Sequence, residues 1–417
     1  MNLIFPLMFF IAFVVAAQKE LFVAQGVMQA LSEAMLASAK QSVSLAIGLV
    51  GVMALFLGLM KIAEKGGLLT ILARLLQPLL IRLFPDIPAS HPAMGAIIMN
   101  FSANALGLGN AATPFGIRAM EWLDRLNTQK GTATDAMILF LAINTSSLTL
   151  LPTGVIALRA SLGSANPAGI LPTTLFASCC ATITAIVVAK ICARFSHAPH
   201  PALSAADGLE EHAPITQGYP LWVSLLTLLG VVGFVILTVL FGQIIAPWII
   251  PVLAITLLVF GACKGVPLYE GFIEGAKESF EIALRMIPYL VAILVGVAML
   301  RASGALDLLI APLARWSAPL GLPAEALPMA LLRPLSGSGA YGLMASILAD
   351  PAIGPDSYVG YLVSTLQGST ETTFYVLAVY FGAIGVKKVR YMLIPALLAD
   401  LAGIAGAVMA CQLLYGG

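Results

Sequence analysis

Charge is scarce in this chain. Asp, Glu, Lys and Arg make up 10% of its 417 residues, and the formal net charge is +1. Soluble domains carry about 25% charged residues, so a water-facing globular surface is excluded, and with it the basic face that nucleic acid requires. Histidine is rare as well. Of four, His197 and His200 form an H-x-x-H in a Pro-rich stretch that offers no third ligand. The five cysteines (Cys179, Cys180, Cys192, Cys263 and Cys411) lie in or beside apolar runs without metal-ligand spacing, and read as small packing residues. Gly337–Gly342 spells G-x-G-x-x-G, but no strand precedes it and no acidic partner follows at the spacing of a βαβ nucleotide site. No Ser, His and Asp set sits in a polar domain. The expectation is therefore a protein that is not an enzyme, carries no cofactor or metal, and does not bind nucleic acid.

What the chain has is apolar length. Hydrophobic residues make up 60% of it and mean hydropathy is +0.98, the composition of an all-α polytopic membrane protein. A spanning helix needs about 20 apolar residues, and the pattern predicts spans near 1–18, 42–62, 169–193, 220–241, 246–263, 282–300 and 391–415. The first has the apolar core of a signal peptide but neither a basic start nor an A-x-A exit, so it is expected to stay as a membrane helix. GVMQALSEAMLASAK (26–40) and LYEGFIEGAKESFE (268–281) are amphipathic and predict interfacial helices leading into spans. Basic clusters at Lys61, Lys65, Arg74 and Arg82 and at Lys387, Lys388 and Arg390 suggest cytoplasmic ends, without fixing an orientation. The expected location is the bacterial inner membrane, crossed several times.

The chain is also written twice. AKQSVSLAIGLVGVMALFLGLMKIAEKGGL, from Ala39, matches AKESFEIALRMIPYLVAILVGVAMLRASGAL, from Ala276. The match continues from LARLLQPLL to LARWSAPL, and from LAINTSSLTLLPTGVIAL (Leu141 on) to STLQGSTETTFYVLAVYF (Ser364 on). This predicts a first repeat over 1–195, a polar Pro- and Ala-rich linker over 196–219, a connecting membrane helix over 220–245 and a second repeat over 246–417. Internal repeats with a site at their interface are a signature of secondary transporters.

Between the spans lie apolar stretches interrupted by Gly, Pro, Asn and Ser: 90–120, 131–158, 324–348 and 356–386. Irregular backbone survives at membrane depth only when buried in protein or lining a watery cavity, so each stretch predicts two half-helices meeting at a polar tip. The candidate binding residues sit at these tips. They are Asn100, Ser102, Asn104, Asn110 and Thr113 in the first, Asn144, Thr145 and Ser146 in the second, and Arg333, Ser336 and Ser338 in the third. The fourth, LQGSTETT, carries Gln367, Ser369, Thr370, Glu371 and Thr372. If it were helical, Gln367, Thr370 and Glu371 would share one face at i, i+3 and i+4. Glu371 stands out because a carboxylate within the membrane is costly and marks function. Arg333 is its natural counter-charge.

NFSANALGLGNAATPFGIRAM resembles the spore maturation protein A family, and RPLSGSGAYGLMAS with QGSTETTFYVLAVYFGAIGVKKVRY resembles spore maturation protein B. The whole chain looks like a fusion of the two. A wider resemblance is to the nucleoside-recognition, or gate, domain of concentrative nucleoside transporters and ferrous-iron transporter B, in which the QGSTET stretch is similar to the polar hairpin that holds substrate. The resemblance implies two pseudo-symmetric helical repeats with broken, re-entrant hairpins. The expected function is a secondary transporter of a small polar solute (a nucleoside, amino acid or short peptide), with a membrane scaffold or assembly protein and lipid translocation as alternatives. Expected partners are the lipid bilayer, the solute, a coupling H⁺ or Na⁺, and further copies of the chain.

Overall fold

The computed structural model describes residues 4–416 apart from 24, 148, 197–217, 307, 309–311, 313, 314 and 316. The expected linker therefore lies almost wholly outside the described residues. The first half folds as α1 (Ile4–Phe22), α2 (Val27–Lys65), α3 (Leu68–Leu83), α4 (Pro92–Ala105), α5 (Gly109–Arg125), α6 (Asp135–Ser146), α7 (Thr153–Ser161) and α8 (Ile170–Phe195). The second continues as α9 (Leu221–Cys263), α10 (Leu268–Ser303), α11 (Leu327–Leu332), α12 (Gly337–Leu348), α13 (Tyr358–Ser369), α14 (Thr373–Ala383) and α15 (Leu393–Tyr415). Among the described residues there is no strand, only a single bridge between Thr132 and Lys388. Among the described residues five helices are long and apolar enough to cross a membrane: Phe5–Phe22, Val27–Lys65, Pro167–Phe195, Leu268–Ser303 and Leu393–Tyr415. The protein is an all-α polytopic membrane protein in contact with lipid.

Two expectations change. The spans expected at 220–241 and 246–263 are one continuous helix, α9, of 43 residues, and the boundary expected at 245 falls inside it. Pro247 and Pro251 lie within it, as prolines can in membrane helices, where neighbouring groups re-satisfy the freed backbone. The amphipathic stretches 26–40 and 268–281 are not separate interfacial helices either. They are the beginnings of α2 and α10, because no Gly–Pro break separates them from the apolar run that follows.

The long helices pair. α2 lies along α10, and α8 along α15. Both pairs run antiparallel: Gly58 meets Phe272 while Ala46 clusters with Leu290 and Leu294. Likewise the Tyr415 hydroxyl donates to the Gly169 carbonyl (2.6 Å) while Gly403 faces Ala181. Close approach needs small residues, since helices in lipid associate through packing. On α10, Gly271, Gly275 and Ser279 are buried at four-residue intervals, and a Cβ on Gly275 would strike the Leu57 carbonyl. The basic end of α2 is closed by acids of α10: Lys61 pairs with Glu274 and Glu278 (3.7 Å each), and Lys65 with Glu274.

The short helices fill the space between these pairs. At 6–17 residues each, and about 1.5 Å per residue, none of them crosses a bilayer alone. α4, α6 and α14 pack into one apolar core with Phe101, Phe140 and Phe381, and α7, α12 and α13 into another with Ile156, Met344 and Leu362. The α6–α7 and α13–α14 connections thus pass from one core to the other.

Candidate functional site

Each of the four interrupted stretches breaks at or within a few residues of its polar side chains. α4 stops because Gly107 takes a left-handed conformation (φ 74°), donating to the Asn104 carbonyl (2.9 Å) while Leu108 donates to that of Ala103 (2.9 Å), a Schellman closure. A Cβ on Gly107 would also crowd the Leu151 carbonyl at 3.1 Å. α6 ends at Ser147, which holds φ 40° without being glycine, a backbone state that concentrates at ligand clamps and switch regions. α12 starts where the Ser336 hydroxyl accepts from Gly339 N–H (3.1 Å). Between α13 and α14 the chain is extended through Thr370 and Thr372, so Glu371 is not helical and the shared face with Gln367 and Thr370 does not form.

The breaks are tied to one another. Leu150 N–H donates to the Ala105 carbonyl (3.0 Å), Glu371 N–H to that of Thr145 (2.8 Å) and Phe374 N–H to that of Pro334 (3.2 Å). The Asn104 amide donates to Asn144 Oδ1 (2.9 Å), and Ser178 on α8 donates to the Ser369 carbonyl (2.9 Å). Half-helix ends leave backbone groups without partners, and here the breaks supply one another.

At their junction lies a cavity of about 430 Å³. Asn104, Arg333, Ser338, Gln367, Thr370 and Glu371 line it, with Met286, Tyr289 and Tyr341 as apolar wall. The charges are distributed opposite to expectation. The Glu371 side chain is 52% exposed toward the cavity, whereas Arg333 is 6% exposed, and the two sit 3.8 Å apart. Arg333 spends its hydrogen bonds elsewhere, on the Thr372 hydroxyl (2.9 Å) and the Thr370 carbonyl. The arginine holds the extended tip in place, and the carboxylate is left free to face water or a ligand. Gln367 Oε1 has no hydrogen-bond partner.

The other candidates turn inward. Ser102 donates to the Ile98 carbonyl (2.7 Å), Asn144 to Phe140 (2.9 Å), Thr145 to Ala142 (2.9 Å), Ser146 to Ile143 (2.9 Å) and Ser369 to Leu366 (3.3 Å). This back-bonding is the ordinary use of hydroxyls in membrane helices. Asn100 is buried and donates to the Ala112 carbonyl (2.8 Å), standing behind Asn104 rather than in the cavity. Ser336 is a helix cap and Thr372 a ligand of Arg333. Thr113, on α5, is not among the described lining residues, and the side chain of Asn110 lies outside the described residues.

Two buried charges were not anticipated. Arg159 on α7 is fully buried, pairs with Asp356 (3.0 Å) and lies over the Tyr361 ring at 4.2 Å, tying the ends of α7 and α13 together. Asp400 on α15 accepts from the Thr373 hydroxyl (2.7 Å) through Oδ2, and its Oδ1 has no partner. A signal existed for both: each is an isolated charge in or beside an apolar run, ALLADLAGI and GVIALRAS.

The nucleoside recognition (Gate) family matches over residues 46–162 and 283–387, more than half of the chain. Spore maturation protein B of Bacillus subtilis (strain 168) is 47% identical over 167 residues, 40% of this chain and 93% of that protein. Spore maturation protein A of the same organism is 47% identical over 163 residues, 39% of this chain and 83% of that protein. No solved structure matches. The two matched Gate segments contain the four breaks and the Arg333–Glu371 pair, and the chain belongs to the nucleoside-recognition Gate family as a fused spore maturation A/B-type member.

Proposed function

We propose that this protein is a secondary transporter of a small polar solute, bound in the cavity where the four breaks meet. The observation that carries this reading is the Arg333–Glu371 pair: a buried cation positions an exposed carboxylate inside a cavity of about 430 Å³. That volume suits a small ligand, and intramembrane charges mark substrate and ion pathways. Glu371 would accept hydrogen bonds from hydroxyl or amino groups, while Asn104, Ser338 and Gln367 would offer amide and hydroxyl contacts. Nucleosides, amino acids and short peptides fit this chemistry. Coupling to H⁺ or Na⁺, residence in the bacterial inner membrane and association with further copies belong to the same proposal.

In this reading 1–195 and 246–417 are inverted repeats. The antiparallel pairing of α2 with α10 and of α8 with α15 supports it, because a two-fold axis in the membrane plane reverses equivalent helices. Single cysteines at the matched positions Glu64 and Arg301 are then labelled from opposite sides of the membrane; labelling from one side means parallel repeats.

A second reading, movement of an amphiphile, draws on a separate feature. An apolar trough of about 650 Å³ between α8 and α9, lined by Leu171, Trp248 and Val252, shares Leu151 with the polar cavity. A thermal-shift screen of the purified protein against nucleosides, amino acids, dipeptides and phospholipids separates the two. A ligand binding only the folded state at 100 times its Kd adds about 2.7 kcal/mol. Stabilisation by a water-soluble class that disappears in Glu371→Gln supports solute transport; stabilisation by phospholipid alone favours the second reading.

A further inference from the structure

The four residues Thr370–Thr373 are engaged in three directions. The Thr370 carbonyl and the Thr372 hydroxyl hold Arg333, Glu371 faces the cavity, and Thr373 donates to Asp400. Asp400 is 4% exposed and Thr373 fully buried. Asp400 is the only Asp, Glu, Lys or Arg in α15. One oxygen of its carboxyl has a single hydrogen bond and the other has none. A carboxylate shielded from water with an oxygen unpaired is costly, and such a group in a membrane segment is characteristic of proton relays.

We infer that Asp400 is a proton-binding residue whose occupancy is linked to the cavity through Thr373, Arg333 and Glu371. Protonation at the free oxygen, Oδ1, leaves Oδ2 its bond from Thr373, so that bond is kept in both the acid and its conjugate base. Among the described residues no three His, Cys, Asp or Glu gather to hold a metal ion, and the inference commits to a proton as the occupant. The helices packed on α15 are α8, α13, α6 and α9. Lys190 on α8 is committed to the Leu83 carbonyl (2.6 Å), Asp135 at the head of α6 to Arg390 (2.8 Å), and Tyr361 on α13 is stacked on Tyr415. α8 also carries Cys179, Cys180, Cys192 and Arg194, α13 also carries Tyr358, and α9 carries no Asp, Glu, Lys or Arg. Arg333 is held by Thr372, the residue before the Thr373 that bonds Asp400, and it lies 3.8 Å from Glu371, so one guanidinium stands between the two carboxyls.

One guanidinium thus serves two carboxyls, one wet and one buried. When Asp400 is protonated, Glu371 remains as the counter-charge of Arg333 at ion-pair distance. When Asp400 is ionised, the arginine is shared. A ligand whose cationic or donor group draws Glu371 away leaves Arg333 to favour the ionised form of Asp400, so binding such a ligand releases the proton. This coupling rests on the transport reading above; the proton site does not.

Infrared spectroscopy of the purified full chain in lipid nanodiscs, titrated from mildly basic to mildly acidic pH without ligand, tests the site directly. The expected result is a protonated-carboxyl band that grows as the pH falls, persists in Glu371→Gln, shifts in frequency in Thr373→Val and is lost in Asp400→Asn. Should Asp400→Asn not fold, the Thr373→Val shift decides alone. A band that is absent from the wild type, unmoved in folded Thr373→Val, or retained in Asp400→Asn overturns the inference. So does sodium, measured against choline, raising the melting temperature of the wild type but not of the variants. Failure of the ligand screen with the band intact would remove the transporter and leave the proton site standing.

Discussion

At the α6–α7 break, Asn144, Thr145 and Ser146 each turn back onto the helix that carries them. At the α13–α14 break the chain is extended, its carbonyl and hydroxyl groups grip an arginine, and its carboxylate reaches into a cavity. The two stretches match in sequence, with Leu148 at the position of Glu371. A hydroxyl-rich break is therefore not by itself a site. One that satisfies its own helix is a joint, and one that sends its polar groups outward is a surface for chemistry. The structure holds one of each, with the joint supporting the tip that lines the cavity: the Thr145 carbonyl accepts from Glu371 N–H.

The largest effect expected from testing this contrast is at Arg333. Arg333→Met frees the Thr370 carbonyl and the Thr372 hydroxyl, and losing two bonds from a charged donor should cost about 3 kcal/mol. Thermal or denaturant unfolding in detergent reads it. A loss as small as that of a surface arginine would mean the α13–α14 tip is held by something else.

Next are two glycines, one beside each break. A Cβ on Gly337 would lie 2.6 Å from Thr372 Oγ1, whereas one on Gly154 would meet only Tyr341 Cε2 at 3.9 Å. Gly337→Ala should cost about 1–3 kcal/mol through overpacking and move Thr372 off Arg333. Gly154→Ala should cost nothing and gain up to about 1 kcal/mol of helix propensity. Equal melting temperatures for the two would erase the distinction between the breaks.

The smallest stability effects should come with opposite functional ones. Glu371→Gln removes a 3.8 Å ion pair whose carboxylate is half exposed, which should cost less than Arg333→Met, yet abolishes the ligand response. Thr145→Val and Ser146→Ala each lose a back-bond worth about 1 kcal/mol and leave the ligand response intact. Measuring both quantities on all three variants sharpens the comparison, and a reversed pattern would place the site at the other break.

Much of the fold was legible because membrane helices obey a simple length and hydropathy rule. The runs ending at Phe22, Lys65, Phe195, Ser303 and Tyr415 are helices, and the backbone breaks where Gly107, Ser147, Arg333 and Thr370 stand. The site was legible in part. Asn104, Arg333, Ser338, Gln367, Thr370 and Glu371 do line one cavity, since a break in an apolar run announces polar backbone. Ser102, Thr145 and Ser146 do not, because a hydroxyl can bond its own preceding turn and sequence carries no sign of which it will choose. α9 ran through its expected boundary because proline inside a membrane helix is a weaker stop than in water.

Composition and the placement of Gly, Pro and Asn within apolar runs determined an all-helical membrane protein with four interrupted segments, because lipid leaves the backbone no other way to satisfy its hydrogen bonds. Only the tertiary structure decided which acid meets water. Glu371 is exposed because the extended tip turns it toward the gap between two cores, and Asp400 is dry because Gly403, with no side chain, lets the Thr370 methyl group close against α15. Both are carboxylates in apolar sequence. Burial is a property of what packs around a residue, and that is settled by contacts between segments hundreds of positions apart.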